Sequence, residues 1–152
     1  MTHPDDLMHD IMEAIGLFHR GEMQEARRQL TRLWDEVTPN GDPFQRCAVA
    51  HYLADLQDNP QDELAWDLRA LEAASAVTDE HAKTFHGAFE MRRFYPSLHL
   101  NLASDYSKLG DVGKAREHLA LTRERLAALP DDDFTRGIHA AVSRLTKKLD
   151  EG

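Results

Sequence analysis

The chain has 152 residues, 41% of them hydrophobic, and carries 27 acidic against 18 basic side chains, a formal charge of -9. This length and apolar content suit one domain with a continuous core. The acidic surplus argues against a nucleic-acid binder, which needs a basic face for the phosphate backbone, and favours neutral or basic partners. No stretch approaches the roughly 18 to 20 apolar residues of a membrane span, and the first residues lack a signal peptide's basic start, so a cytoplasmic location is expected. Cys47 is the single cysteine, which excludes an internal disulfide and a four-cysteine zinc site.

Along the chain, Ile11, Ala14, Ile15 and Phe18 form a helical stripe, His19-Arg20-Gly21-Glu22 turns, and Ala26, Leu30 and Leu33 resume the stripe. This predicts a helical hairpin over residues 5–37 or so, with Gly21 free to take the left-handed backbone that ends a helix. Thr38-Pro39-Asn40-Gly41-Asp42-Pro43 is a connector. A second hairpin is predicted near residues 44–77. Val49, Leu53, Ala54 and Leu56 precede Asp58-Asn59-Pro60, then Leu64, Leu68 and Leu71 follow, with Pro60 suited to a first helical turn. Trp66 lies opposite that last stripe, beside Ala70, Ala73 and Ala74, so it is expected inside. Trp34, among Arg32, Asp35 and Glu36, is expected to be partly exposed.

A further helix is predicted near residues 79–93, ending before Phe94-Tyr95-Pro96. A third hairpin follows near 96–129, with Leu98, Leu102, Ala103 and Tyr106 on its first helix and Ala115, Leu119 and Leu126 on its second. Gly110 and Asp111 supply the turn and the N-cap between them. The spacing from Ala14 to Ala26 equals that from Ala103 to Ala115, and Gly21 and Gly110 sit at the same point, so two hairpins share one ruler. Asp131-Asp132-Asp133 starts a last helix reaching about Lys148, where Lys147 and Lys148 complement its C-terminal dipole. Few β-branched runs and many Ala, Leu, Glu and Arg residues define an all-α class.

In the third hairpin, Leu102-Ala103, Tyr106, Gly110-Asp111, Ala115, Leu119 and Pro130 follow the order of the tetratricopeptide repeat, a helix-turn-helix unit of about 34 residues. Ala14, Gly21, Ala26, Leu30 and Pro39 do so in the first, with its aromatic shifted to Phe18, and the second keeps Leu53-Ala54 with a shorter turn. The chain therefore resembles that family, and "AHYLADLQDNPQDELAWDLRALEAA" also looks like small bacterial helical-repeat proteins. The resemblance implies an α-α superhelix of antiparallel hairpins with a C-terminal capping helix. It further implies a non-enzymatic interaction module, without cofactor, binding a peptide, a helix or another subunit in a concave groove. A homodimer is one version of this. The groove would receive Met8, Ile11, Ile15, Phe18 and His19 from the first hairpin, and Ser97, Leu100, Ser104, Ser107 and Lys108 from the third. The clamp by which some relatives hold a C-terminal carboxylate is reduced to Lys108.

Three constellations compete with that reading. Cys47, His51 and Asp55 recur every four residues and drift about 80° around a helix, so they share a face that suits a metal or an activated nucleophile. A small-ligand or metal-dependent activity would need them to converge on a solvent-connected pocket; otherwise they are a buried thiol, a half-buried imidazole and a solvated acid. His81, His86, His99 and Glu90 cluster without a zinc-binding motif and are read as surface residues. Arg92-Arg93-Phe94-Tyr95 is a contact-patch candidate through Arg92, Arg93 and Tyr95, because arginine and aromatic residues concentrate at interface hot spots. A nucleic-acid role would require a basic stripe joining Lys83, Arg92, Arg93 and Lys108.

Overall fold

The computed structural model describes residues 4–37, 42–76 and 88–151, with side chains from Asp6, Asp42 and Tyr95 onward in those stretches. Among the described residues there are seven helices and no strand: α1 Pro4–His19, α2 Met23–Glu36, α3 Pro43–Asp55, α4 Pro60–Ser75, α5 Ala88–Lys108, α6 Val112–Ala127 and α7 Asp133–Glu151. The chain divides into two compact units, Met1–Val77 and Thr78–Gly152. No helix among the described residues is long and apolar enough to cross a membrane.

In the first unit the sequence stripes meet as designed. Ile11 and Ala14 from α1, Ala26, Leu30 and Leu33 from α2, and Val49 and Leu53 from α3 form one buried cluster. Each large aliphatic side chain there contributes about 1.5–3 kcal/mol of transfer free energy. Helix α3 packs against α1, α2 and α4, which explains why its residues from Phe44 to Ala54 are nearly all inside. Its start is fixed by Asp42, whose carboxylate accepts from the amides of Phe44 and Gln45, with Pro43 in the first turn. Asn59 does the same for α4 by accepting from the Asp62 amide ahead of Pro60. Trp66, expected inside, is half-buried: it meets the half-buried Trp34 edge-on, with ring centroids 5.0 Å apart.

In the second unit Ala103, Ala115, Leu119, Val142 and Leu149 form the cluster that joins α5, α6 and α7. The helix boundary differs from the sequence expectation. Helix α5 starts at Ala88 and runs through Pro96 without a break, so residues 88–93 belong to it; the rest of the helix predicted at 79–93 lies outside the described residues. Pro96 removes one backbone donor and normally ends or kinks a helix. Here the buried Pro96 and the buried Leu98 and Leu102 one turn on show that packing, not local preference, decides the segment.

The two turns that share the ruler are matched bond for bond. Glu22 N–H donates to the Leu17 carbonyl and Gly21 N–H to that of Phe18, at 3.0 Å each; Asp111 N–H donates to Tyr106 at 2.9 Å and Gly110 N–H to Ser107 at 3.1 Å. This is the double-bonded left-handed cap, and both glycines adopt it, with φ of 83° and 84°. Ala14, Ala26, Ala103 and Ala115 are all 1% exposed or less, so small residues set the close approach in both hairpins. Helix α7 starts at a reciprocal cap: Thr135 N–H donates to Asp132 and Asp132 N–H to the Thr135 hydroxyl, each at 3.0 Å.

Candidate partner-binding groove

A cleft of about 350 Å³ opens between α5 and α7. Leu100, Asn101 and Ser104 line it from α5, and Ala141, Arg144, Leu145 and Lys148 from α7. The α7 positions follow the three- and four-residue steps of one helical face, which is why one stripe supplies the whole wall. Leu100 and Leu145 are half-buried and rest on the core of this unit, so the floor is apolar. The walls are held rigidly. Val142 and Leu149 of α7 are buried, Arg116 of α6 pairs with Asp150 at 2.9 Å, and Arg123 of α6 donates to the Thr146 hydroxyl at 2.7 Å.

Behind this groove, α5 and α6 are joined by a polar-aromatic ladder. His99 and His118 meet with their Nδ1 atoms 3.1 Å apart, and the Tyr106 ring stacks on His118 with a 5.6 Å centroid separation. One Nδ1 must carry the hydrogen and the other accept it, so the neutral pair holds opposite tautomers. Burial, with His118 and then Arg125 nearby, pushes His99 down to about 4; burial also lowers His118. His99, expected at the surface, is thus 6% exposed and structural. His81 and His86 lie outside the described residues, as does the side chain of Glu90.

Of the residues expected to face a partner, Leu100 and Ser104 line the cleft. Ser97 is half-buried and Lys108 exposed, and neither lines it. Ser107 is half-buried away from it as well. Phe18 and His19 contribute to a different structure: both rings pack edge-on against Tyr52, at 5.5 and 5.9 Å, tying α1 to α3. Ile11 is wholly core, while Met8 and Ile15 are half-buried. Tyr95 is half-buried beneath the Arg125 guanidinium, 4.4 Å above its ring. The side chains of Lys83, Arg92 and Arg93 lie outside the described residues. Sequence reasoning missed the entire α7 wall. The signal lies in the Ala141, Arg144, Leu145, Lys148 stripe, which in sequence cannot be told from the outer face of a capping helix with a dipole-complementing lysine.

The Cys47, His51 and Asp55 face does not converge. Cys47 is 1% exposed and burial pushes its thiol up to about 12, so it carries no thiolate near neutral pH. Half-buried His51 is driven down to about 4 by burial, and Asp55 is exposed to solvent. Among the described residues, no group of three His, Cys, Asp or Glu side chains is placed to hold a metal ion.

A second concavity, about 210 Å³, lies in the first unit between Trp34, Arg46, Arg69 and Glu72. Its arginines already serve the fold. Arg46 donates to the Val37 carbonyl at 2.6 Å and lies 3.7 Å over the Trp34 ring, while Arg69 lies 4.4 Å over Trp66. Both are cation–π contacts, and Arg46 also caps the end of α2.

Comparison with models of protein families, with curated proteins and with solved structures finds no match for this chain.

Proposed function

We propose that the chain is a tetratricopeptide-like helical-hairpin module that binds a protein or peptide without chemistry of its own, and that the α5/α7 cleft is its binding surface. The observation that carries this reading is the cleft itself. Its floor is apolar, its walls are polar and charged, and two residues of the first helix of a repeat-like hairpin, Leu100 and Ser104, line it. That mixture suits a segment anchored by an apolar side chain and oriented by polar groups. The matched turns at Gly21 and Gly110 support the repeat-like assignment, because each places a small alanine pair at the same point of its hairpin. A cytoplasmic setting suits a chain whose lone cysteine is a buried free thiol.

A large side chain in the cleft tests the reading. Ser104→Trp fills it from a half-buried position, and circular dichroism verifies that the variant remains helical. A protein captured stoichiometrically by wild type is expected to be retained at least about tenfold less by the variant, the loss typical of a blocked hot spot. Equal retention by the two forms would remove the cleft as the binding surface.

A further inference from the structure

Building on the interaction-module reading, we infer that the α5/α7 groove receives an acidic segment: an extended peptide stretch with two carboxylates two residues apart, held by Arg144 and Lys148.

The lining carries the argument. The chain has 27 acidic residues, yet among the described residues no acidic side chain lines this cleft, whereas two cations do. The other arginines that fasten α7 have partners: Arg116 pairs with Asp150, Arg136 with Asp131 and Asp133, and Arg123 with Thr146. Arg144 and Lys148 pair with no carboxylate among the described residues. Both are exposed beside half-buried Leu145 and Ala141, so a ligand carboxylate can reach them from solvent at the edge of an apolar floor.

Their spacing defines the ligand. Positions four apart on a helix are separated by about 6 Å along its axis. Side chains two apart in an extended strand project to the same side about 6.6 Å apart. A peptide running along the groove therefore presents two carboxylates to Arg144 and Lys148, while its intervening residue faces Asn101 and Ser104 on α5. The overall charge of -9 does not oppose this at contact range. Exposed charges beyond a screening length of about 8 Å are damped at physiological salt, so the local pair decides the contact.

The test uses the full chain and two fluorescein-labelled heptapeptides, Gly-Leu-Glu-Ser-Glu-Leu-Gly and its twin with lysine in place of both glutamates. Fluorescence anisotropy measures affinity, and amide NMR shifts locate the contact. The glutamate peptide is expected to bind at least about fivefold more tightly at physiological salt, where the distant acidic surplus is screened, from two exposed charge pairs. Its shifts are expected on residues 100–104 and 141–148. In an Arg144→Glu, Lys148→Glu variant the preference inverts; both positions are exposed, so the fold tolerates the change. If the lysine peptide binds the groove of wild type as well as the glutamate peptide, the acidic specificity is wrong while the interaction-module reading stands. If the shifts of the glutamate peptide map elsewhere, or the preference survives charge reversal, the inference is overturned. If neither peptide perturbs the groove, both the inference and the placement of the binding surface fail. Sedimentation equilibrium gives the remaining outcome: self-association lost in the charge-reversed variant would assign the groove to a second copy and overturn the peptide.

Discussion

At the turn, hairpin α1–α2 matches α5–α6 position by position, from the paired glycines to the paired alanines, but one turn earlier the first helices part company. Helix α5 buries Leu98 and Leu102 completely, whereas His9 and Glu13, which hold the same register on α1, have side chains 72% and 68% exposed. The reverse holds two positions on from Leu98 and His9: Ile11 is fully buried, while its counterpart Leu100 is half-buried and open to the cleft. The turn is written locally, by one glycine and two small residues. Face usage is set by neighbours, since α1 packs on α2 and α3 but α5 packs on α6 and α7. Beside α1, helix α3 closes the contact with buried core side chains, whereas beside α5 the α7 face leaves a cleft.

The strongest way to break the comparison is through its matched core leucines. Leu30 and Leu119 occupy the same register and are 0% and 2% exposed. Leu30→Ala and Leu119→Ala are each expected to cost about 2–5 kcal/mol in chemical denaturation, as cavity-forming changes do. A negligible loss at either would show that the shared ruler does not carry a shared core.

Acid separates the hairpins next. His9 and His19 of the first are exposed, whereas the His99–His118 pair of the second is held down by burial. Because their folded pKa values lie below the usual 6.5, the unfolded chain binds more protons between that value and about 4. The stability they contribute is therefore complete above about pH 6.5 and lost as pH falls toward 4, on the order of 2 kcal/mol. His51, also held near 4, pulls the first unit in the same direction. Denaturation at pH 7 and pH 4.5 should show a smaller loss for His99→Leu than for wild type. An equal loss would place the acid sensitivity elsewhere.

The turns should respond alike. With no atom within 4 Å of an added Cβ at Gly21 or Gly110, alanine there meets only the left-handed backbone. Gly21→Ala and Gly110→Ala should each cost about 1–2 kcal/mol, and by similar amounts. The smallest expected difference is at the second helices. Asp111 caps α6 by accepting from the Lys114 amide, while Glu22, its counterpart before α2, makes no side-chain cap. Asp111→Ala should cost about 1 kcal/mol, and Glu22→Ala close to nothing. Thermal melts of the pair would decide it.

What was legible in the sequence follows the same division. Caps and turns depend on a few adjacent atoms, so Gly21, Gly110, Pro60, Asp111 and the acidic start of α7 were readable. So was the all-α class, from stripes such as Ile11-Ala14 and Ala115-Leu119. Pro96 misled because its cost is local while the burial that overrides it comes from distant residues. The site was half legible for a related reason. Leu100 and Ser104 sit on a helix whose own stripe marks its open face, but Arg144 and Lys148 become cleft residues only because α7 folds back beside α5. His99 was invisible as a buried residue until His118, on the next helix, supplied its partner.

The central claim, that binding belongs to the groove of the second hairpin and not to the matched face of the first, is tested most directly by site-specific photocrosslinking. Asn101 lines the cleft, and exposed Met12 holds the same register on α1. A benzophenone side chain placed at each position in turn, in cells, should give a discrete crosslinked protein from position 101 and none from position 12. Crosslinking from position 12 alone, or only to a second copy of the chain through it, would move the interaction to the first hairpin and contradict the account.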